Sequence, residues 1–192
     1  MVKRLIIGMS GASGAPLTVE LLRQLHSRCP EVETHLIVSK GAEMTLAQET
    51  DVSLEELKAL ASVCHPNSNI GAAPASGSFK TMGMIVVPCS MKTVAGIVSG
   101  YSDNLLLRSA DVCLKERRKL VLVARESPLS TIHLRNLYEA SQLGAVVLPP
   151  MLTYYNHPAS LADCTRHTVN RILSQFDLDE GSYQWEGMNE TV

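Results

Sequence analysis

Five short apolar runs divide the chain, at residues 4–9, 33–38, 83–87, 120–124 and 145–148. The first, RLIIGM, lacks polar alternation and ends in glycine, as a strand buried on both faces does. Segments with apolar residues at helical spacing lie between the runs. Leu17, Leu21, Leu22 and Leu25 mark a helix within 17–26. Residues 42–60 predict a helix in two pieces, because Ser53 with Glu56 three residues on forms a capping box. Further helices are predicted over 103–117, 132–143 and 160–176, and residues 88–93 run straight into another. Pro88 is expected to end the third strand. Residues 66–78, rich in Gly, Ala, Ser, Pro and Asn, read as a loop, and long loops in α/β domains are usually functional. The alternation implies a three-layer α/β fold, a mostly parallel sheet with helices on both faces. No composition break marks a second domain, so residues 1–176 read as one domain and 177–192 as a polar tail.

Composition narrows the function. Of 192 residues, 45% are hydrophobic and 19% charged, which excludes intrinsic disorder. The net charge of −2 advertises no basic face, and aromatics are only 4%. Nucleic acid is therefore an unexpected partner. A core this poor in rings, and any cofactor site, must be built from aliphatic side chains and backbone. Five cysteines with no C-x-x-C pair exclude a zinc ribbon and read as reduced thiols of a cytoplasmic protein. The six histidines show no ligand spacing, so no metal site is expected. No apolar run approaches the roughly 18 residues of a membrane span, and residues 1–9 are too short for a secretory leader.

In open α/β sheets, ligands sit beyond the C-terminal ends of the strands. After the first strand comes GMSGASGA (8–15), a G-x-x-G-x-x-G turn into a helix. Its small residues let backbone approach a ligand, and the helix start offers N–H groups to an anion. Spacing alone supports a bare tight turn equally well. Ser39 and Lys40 follow the second strand, where an NAD site would place Asp or Glu. PCSMKT (88–93) follows the third, with Ser90, Thr93 and a helix start as donors; Cys89 reads as a small buried hydrophobe. Arg125-Glu126-Ser127-Pro128 follows the fourth, a charged pair that core packing does not require. Arg108, Asp111 and Lys115 form one polar line in which either cation could pair with Asp111, the ordinary pattern of a solvated helix face.

Together these segments resemble the UbiX-like flavin prenyltransferase family, formerly labelled aromatic acid decarboxylase flavoproteins. The resemblance runs from Gly8 to Trp185. It rests on GMSGASGA, VSK (38–40), ETD (49–51), SGS (76–78), PCSMKT, R-x-A-D-V-x-L-K-E-R (108–117), RESP (125–128), HL-x-N (133–136), YYNHP (154–158) and NRIL (170–173). Their order and spacing carry it.

The resemblance implies a flavodoxin-like or Rossmann-like fold, a homododecamer built from trimers, and active sites at subunit interfaces. It implies FMN as cofactor and dimethylallyl monophosphate as substrate, with the prenyl group attached to N5 and C6 of reduced FMN. Prenylated FMN would then pass to a UbiD-like decarboxylase. FMN contacts would be Gly11, Ala12, Ser13, Ser39, Ser90, Met91, Lys92, Thr93 and Arg125. The prenyl phosphate would meet Lys115, Tyr155 and Arg171. Glu49 with Ser13 would handle the proton at N5, and Glu126 would act as acid and base in the C6 step, so Ser13, Glu49, Lys115 and Glu126 are the expected catalytic set. Arg108 would position Lys115 or an FMN contact through Asp111. Ile70 stands where some relatives carry an aromatic residue. A non-catalytic FMN carrier, an FMN-dependent cysteine decarboxylase and a redox flavodoxin are the competing readings.

Overall fold

The computed structural model describes residues 2–179 and Gly187. Six parallel strands form one sheet: β1 (Lys3–Met9), β2 (Val32–Val38), β3 (Val63–Pro66), β4 (Gly83–Cys89), β5 (Lys119–Ala124) and β6 (Val146–Val147), in the order β3-β2-β1-β4-β5-β6. The order reverses between β1 and β4, which makes their C-terminal ends the place where a crevice opens. Among the described residues, seven α-helices pack on the two faces: α1 (Ala15–Arg28), α2 (Lys40–Glu49), α3 (Leu54–Ala59), α4 (Met91–Val98), α5 (Leu105–Lys115), α6 (Thr131–Gln142) and α7 (Leu161–Leu173).

Strand pleating sorts the core into two layers. Leu5, Ile7 and Met9 point to one face and pack with α1, α2, α3 and α7; Ile6, Met84 and Val86 point to the other, with α4, α5 and α6. β4 is buried along its whole length, which explains its unbroken apolar run. Both clusters are almost wholly aliphatic, with Phe176 the single ring among their buried members.

The helix in two pieces is present, and Ser53 and Glu56 form the expected capping box. Four boundaries differ from the sequence reading. Residues 63–66 form an extra edge strand, β3, which its mostly exposed VCHP pattern conceals, and the following loop contains a 3-10 turn at Ala73–Ala75. β4 runs through Pro88 to Cys89, with its pairing to β5 irregular between Val86 and Cys89. β6 has only two residues. The last helix ends at Leu173 and tightens into a 3-10 turn, Ser174–Phe176. Trp185 and most of the expected tail lie outside the described residues.

Candidate active site

A cleft of about 880 Å³ lies beyond the ends of β1 and β4. Ser10, Gly11, Ser39, Lys40, Ser90 and Lys92 are among the residues that border it. The first turn and the start of α2 approach so closely that a Cβ on Gly11 would stand 2.9 Å from the Gly41 carbonyl carbon.

Four helices begin around this region, and their first N–H groups have no acceptor within the helix. At α1 the protein fills the place itself: Glu49, the last residue of α2, accepts from Gly14 N–H at 2.8 Å and Ala15 N–H at 2.9 Å through Oε2. At α5, Asn67 accepts from Leu105 and Leu106 through its carbonyl and Oδ1, and Asn104 Oδ1 accepts from Leu107. At α2 and α4 the caps take less. Ser39 Oγ accepts from Ala42 N–H and Ser90 Oγ from Thr93 N–H, which leaves the first-turn amides at Lys40, Gly41, Met91 and Lys92. These two helix starts, with Lys40 and Lys92 beside them, are where the cleft can hold an anion.

Glu49 is the most constrained ionisable group here. Burial pushes its carboxyl up, but the Ser13 hydroxyl, the Gly14 and Ala15 amides and the Arg125 charge together hold it below the ordinary value of 4.5. Arg125 reaches this place because its N–H donates to the Cys89 carbonyl at the end of β4. Ser13, Glu49 and Arg125 are thus brought together by three separate elements. Glu126 lies exposed on the next position, its Oε1 accepting from Ser127 N–H.

The remaining expected residues divide. Met91 is 7% exposed and its side chain packs in the core, so only its backbone N–H is left for a ligand. Thr93 is also buried, with Oγ1 3.0 Å from Ser90 Oγ. Cys89 is fully buried and its thiol is pushed well up, in keeping with a hydrophobe. Lys115 lies at the opposite edge of the sheet. The six residues of β5 put roughly 17 Å between its start near Lys115 and its end at Arg125. Lys115 pairs with Glu116 at 2.5 Å, not with Asp111. Asp111 takes Arg108 at 2.5 Å, and Arg108 Nε also holds the Ala75 carbonyl. Arg108 therefore ties the long loop to α5 and does not position Lys115.

Tyr155 and Arg171 meet a different surface. Tyr155 Oη lies 3.1 Å from His167 Nε2 on α7, and Arg171 is one turn further along the same helix face. The end of α7 sits at the starting edge of the sheet, where Lys119 donates to the Gln175 carbonyl and Phe176 covers Gly83. In one copy of the chain, none of Lys115, Tyr155 and Arg171 is among the residues that border the cleft. Ile70 is exposed on the long loop. Ser10 escaped the sequence reading; it is 2% exposed, borders the cleft and bridges β1 to β4. Its only signal in the sequence was its place after a buried strand.

Comparison with known proteins settles the family. The Flavoprotein family profile matches residues 2–173. A flavin prenyltransferase UbiX of Escherichia coli is 51% identical over 97% of this chain and 100% of its own. The chain belongs to the UbiX-like flavin prenyltransferase family. A probable UbiX-like flavin prenyltransferase of Sedimentibacter hydroxybenzoicus is 50% identical over 97% of this chain and 99% of that protein. The crystal structure of AnUbiX in complex with FMN and dimethylallyl pyrophosphate superposes with a TM-score of 0.94 at 49% identity, covering 98% and 100% of the two chains. A dodecameric FMN-dependent UbiX-like decarboxylase from Escherichia coli superposes with 0.93 at 52% identity, over 96% and 100%. The cysteine decarboxylase SpaF shares the fold at 14% identity and a TM-score of 0.63. Among the described residues, no helix is long and apolar enough to cross a membrane.

Proposed function

We propose that this chain transfers a dimethylallyl group from dimethylallyl monophosphate to N5 and C6 of reduced FMN, giving prenylated FMN for a UbiD-like decarboxylase. The observation that carries this reading is the junction of Ser13, Glu49 and Arg125 beside a cleft whose α2 and α4 starts are left open to an anion. The donor set fits FMN. Ser39, Ser90, Thr93 and Lys92, with the amides of Gly11 and Met91, supply hydroxyls, N–H groups and positive charge, while the Ala12 N–H already donates to the Ser10 carbonyl; the cleft is within the few-hundred to thousand Å³ range of ligand sites. When bound, reduced FMN supplies the nitrogen and carbon that receive the prenyl group.

The chain's residues then have separable tasks. Breaking an allylic C–O bond leaves a cation and a phosphate, and fixed positive charge stabilises the phosphate as it departs. Arg125 would do this from within the chain, while Lys115, Tyr155 and Arg171 would come from other copies. Glu49 is ionised near neutral pH and so is ready to accept the proton at N5, with Ser13 holding its carboxylate. Glu126, exposed beside Arg125, would exchange the proton at C6 with the departing phosphate. Assembly is supported by an apolar surface. Ile132, Leu134 and Tyr138 on α6 and Met151, Leu152, Tyr154 and Leu161 before and at α7 are all exposed in one chain. We take this as the contact surface of a homododecamer, with residues 1–176 as its one domain and the cytoplasm as its compartment.

The test is direct. The purified chain is incubated with reduced FMN and dimethylallyl monophosphate, and the flavin mass is recorded. A five-carbon addition is expected. Bound FMN with no mass change would favour a non-catalytic FMN carrier instead.

A further inference from the structure

Proline has no N–H, so Pro88 interrupts the ladder inside a fully buried strand. β4 pairs with β5 in register from Gly83 to Val86 and resumes only at Cys89 with Ala124. The Val87 and Pro88 carbonyls are freed from regular pairing and must find donors elsewhere. Two hydroxyls supply them. Thr18 Oγ1 donates to the Val87 carbonyl at 2.6 Å. Ser10 donates twice to the Pro88 carbonyl, through its N–H at 3.2 Å and its Oγ at 2.9 Å.

The two hydroxyls are not equivalent. Ser10 Oγ also accepts from Ser90 N–H at 2.8 Å. Ser90 is the residue that caps α4, through Thr93 N–H, and it borders the cleft. One buried oxygen thus fixes the spacing between the first turn, which carries Gly11 to Ser13, and the α4 start, which carries Ser90 to Thr93. Thr18 is fully buried and is not part of the cleft wall.

We propose that Ser10 is a positioning residue for flavin binding: its hydroxyl locks the two cofactor-holding turns together by bridging the Pro88 carbonyl and the Ser90 amide. The role goes beyond filling a hydrogen-bond vacancy, because it sets the direction of the α4 amides toward the cleft. It rests on the FMN reading above.

The experiment compares Ser10→Ala, Ser10→Thr and Thr18→Ala in the full chain. Two measurements are made: FMN affinity by flavin fluorescence, and exchange of the Ser90 amide without FMN. Ser10→Ala is expected to weaken FMN binding about tenfold, the size of one lost hydrogen bond, and to speed Ser90 exchange. Ser10→Thr keeps the oxygen and is expected to restore both. Thr18→Ala removes a carbonyl partner from the same strand end and is expected to lower the melting temperature while leaving FMN affinity unchanged. If Ser10→Ala does not fold, Ser10→Cys, a weaker acceptor of similar volume, is expected to show the same loss in milder form. Unchanged FMN affinity in Ser10→Ala, or a loss in Thr18→Ala or Ser10→Thr equal to that of Ser10→Ala, overturns the proposal. Failure of the unsubstituted chain to bind FMN overturns the flavin reading and this proposal with it; faster Ser90 exchange would then still show the hydroxyl bridge as a structural feature.

Discussion

Glu49 Oε2 accepts the Gly14 N–H at 2.8 Å, so the end of α2 caps the start of α1. A carboxylate stands where a doubly wound fold ordinarily invites a phosphate. The same contact keeps Glu49 ionised and aims it at the turn holding Ser13. Glu49→Gln keeps an oxygen acceptor but loses the base. It is expected to retain FMN and to slow prenyl transfer by about 10²–10⁴-fold, the range of a lost general base. Flavin retention and product mass measure the two effects separately. Loss of FMN in this variant would make the cap its whole role.

Lys115 and Arg125 lie at opposite edges of the sheet, so a site using both must span copies of the chain. Lys115→Ala and Glu49→Gln, each nearly inactive alone, are expected to regain activity when unfolded and reassembled together. Mixed assemblies contain sites with both intact residues. Turnover of the mixture no higher than that of the separate variants would place both residues in one copy's site.

Gly11 faces backbone, which cannot rotate aside. Gly11→Ala would put its Cβ 2.9 Å from the Gly41 carbonyl carbon. The turn must open, at a cost of about 1–3 kcal/mol. A lower melting temperature and weaker FMN binding are expected together, measured by thermal unfolding and flavin fluorescence.

His65 carries an acid sensitivity. Its ring lies 2.9 Å from His35, which is 4% exposed and bonded to Glu33. Burial first, and the neighbouring His35 second, lower its proton affinity below the ordinary 6.5. The unfolded chain binds that proton more readily, so this contribution is complete above pH 6.5 and fades as pH falls toward the lowered folded value. His65→Asn is expected to flatten the pH dependence of stability below 6.5, read from denaturant unfolding across that range. An unchanged acid slope would remove His65 from the cause.

Thiol labelling separates the cysteines. Burial pushes the Cys113 thiol up to about 12 and Cys89 higher still; partial burial also raises the Cys64 thiol, but Cys64 is exposed. Mass spectrometry after brief alkylation near pH 8 is expected to find Cys64 modified and Cys89 and Cys113 intact. Early modification of Cys89 would contradict its role as a packing residue.

The apolar runs and helical spacings were enough to predict three layers, five of the six strands, the broken helix and its capping box, because each depends on residues near in sequence. β3 was hidden: a four-residue edge strand with exposed side chains has no buried face to pattern it. The turns at Gly11, Ser39 and Ser90 were legible as ligand candidates, since a strand end followed by small or hydroxyl residues announces a helix start. What the sequence could not decide is which helix starts remain open. Tertiary packing delivers Glu49 to α1 and Asn67 to α5, and leaves α2 and α4 unfilled. It also placed Lys115 a strand's length from Arg125 and gave Ser10 its bridge to Ser90. A pairing between positions 80 residues apart leaves no periodic trace in either segment; only the folded sheet brings the two atoms within a hydrogen bond.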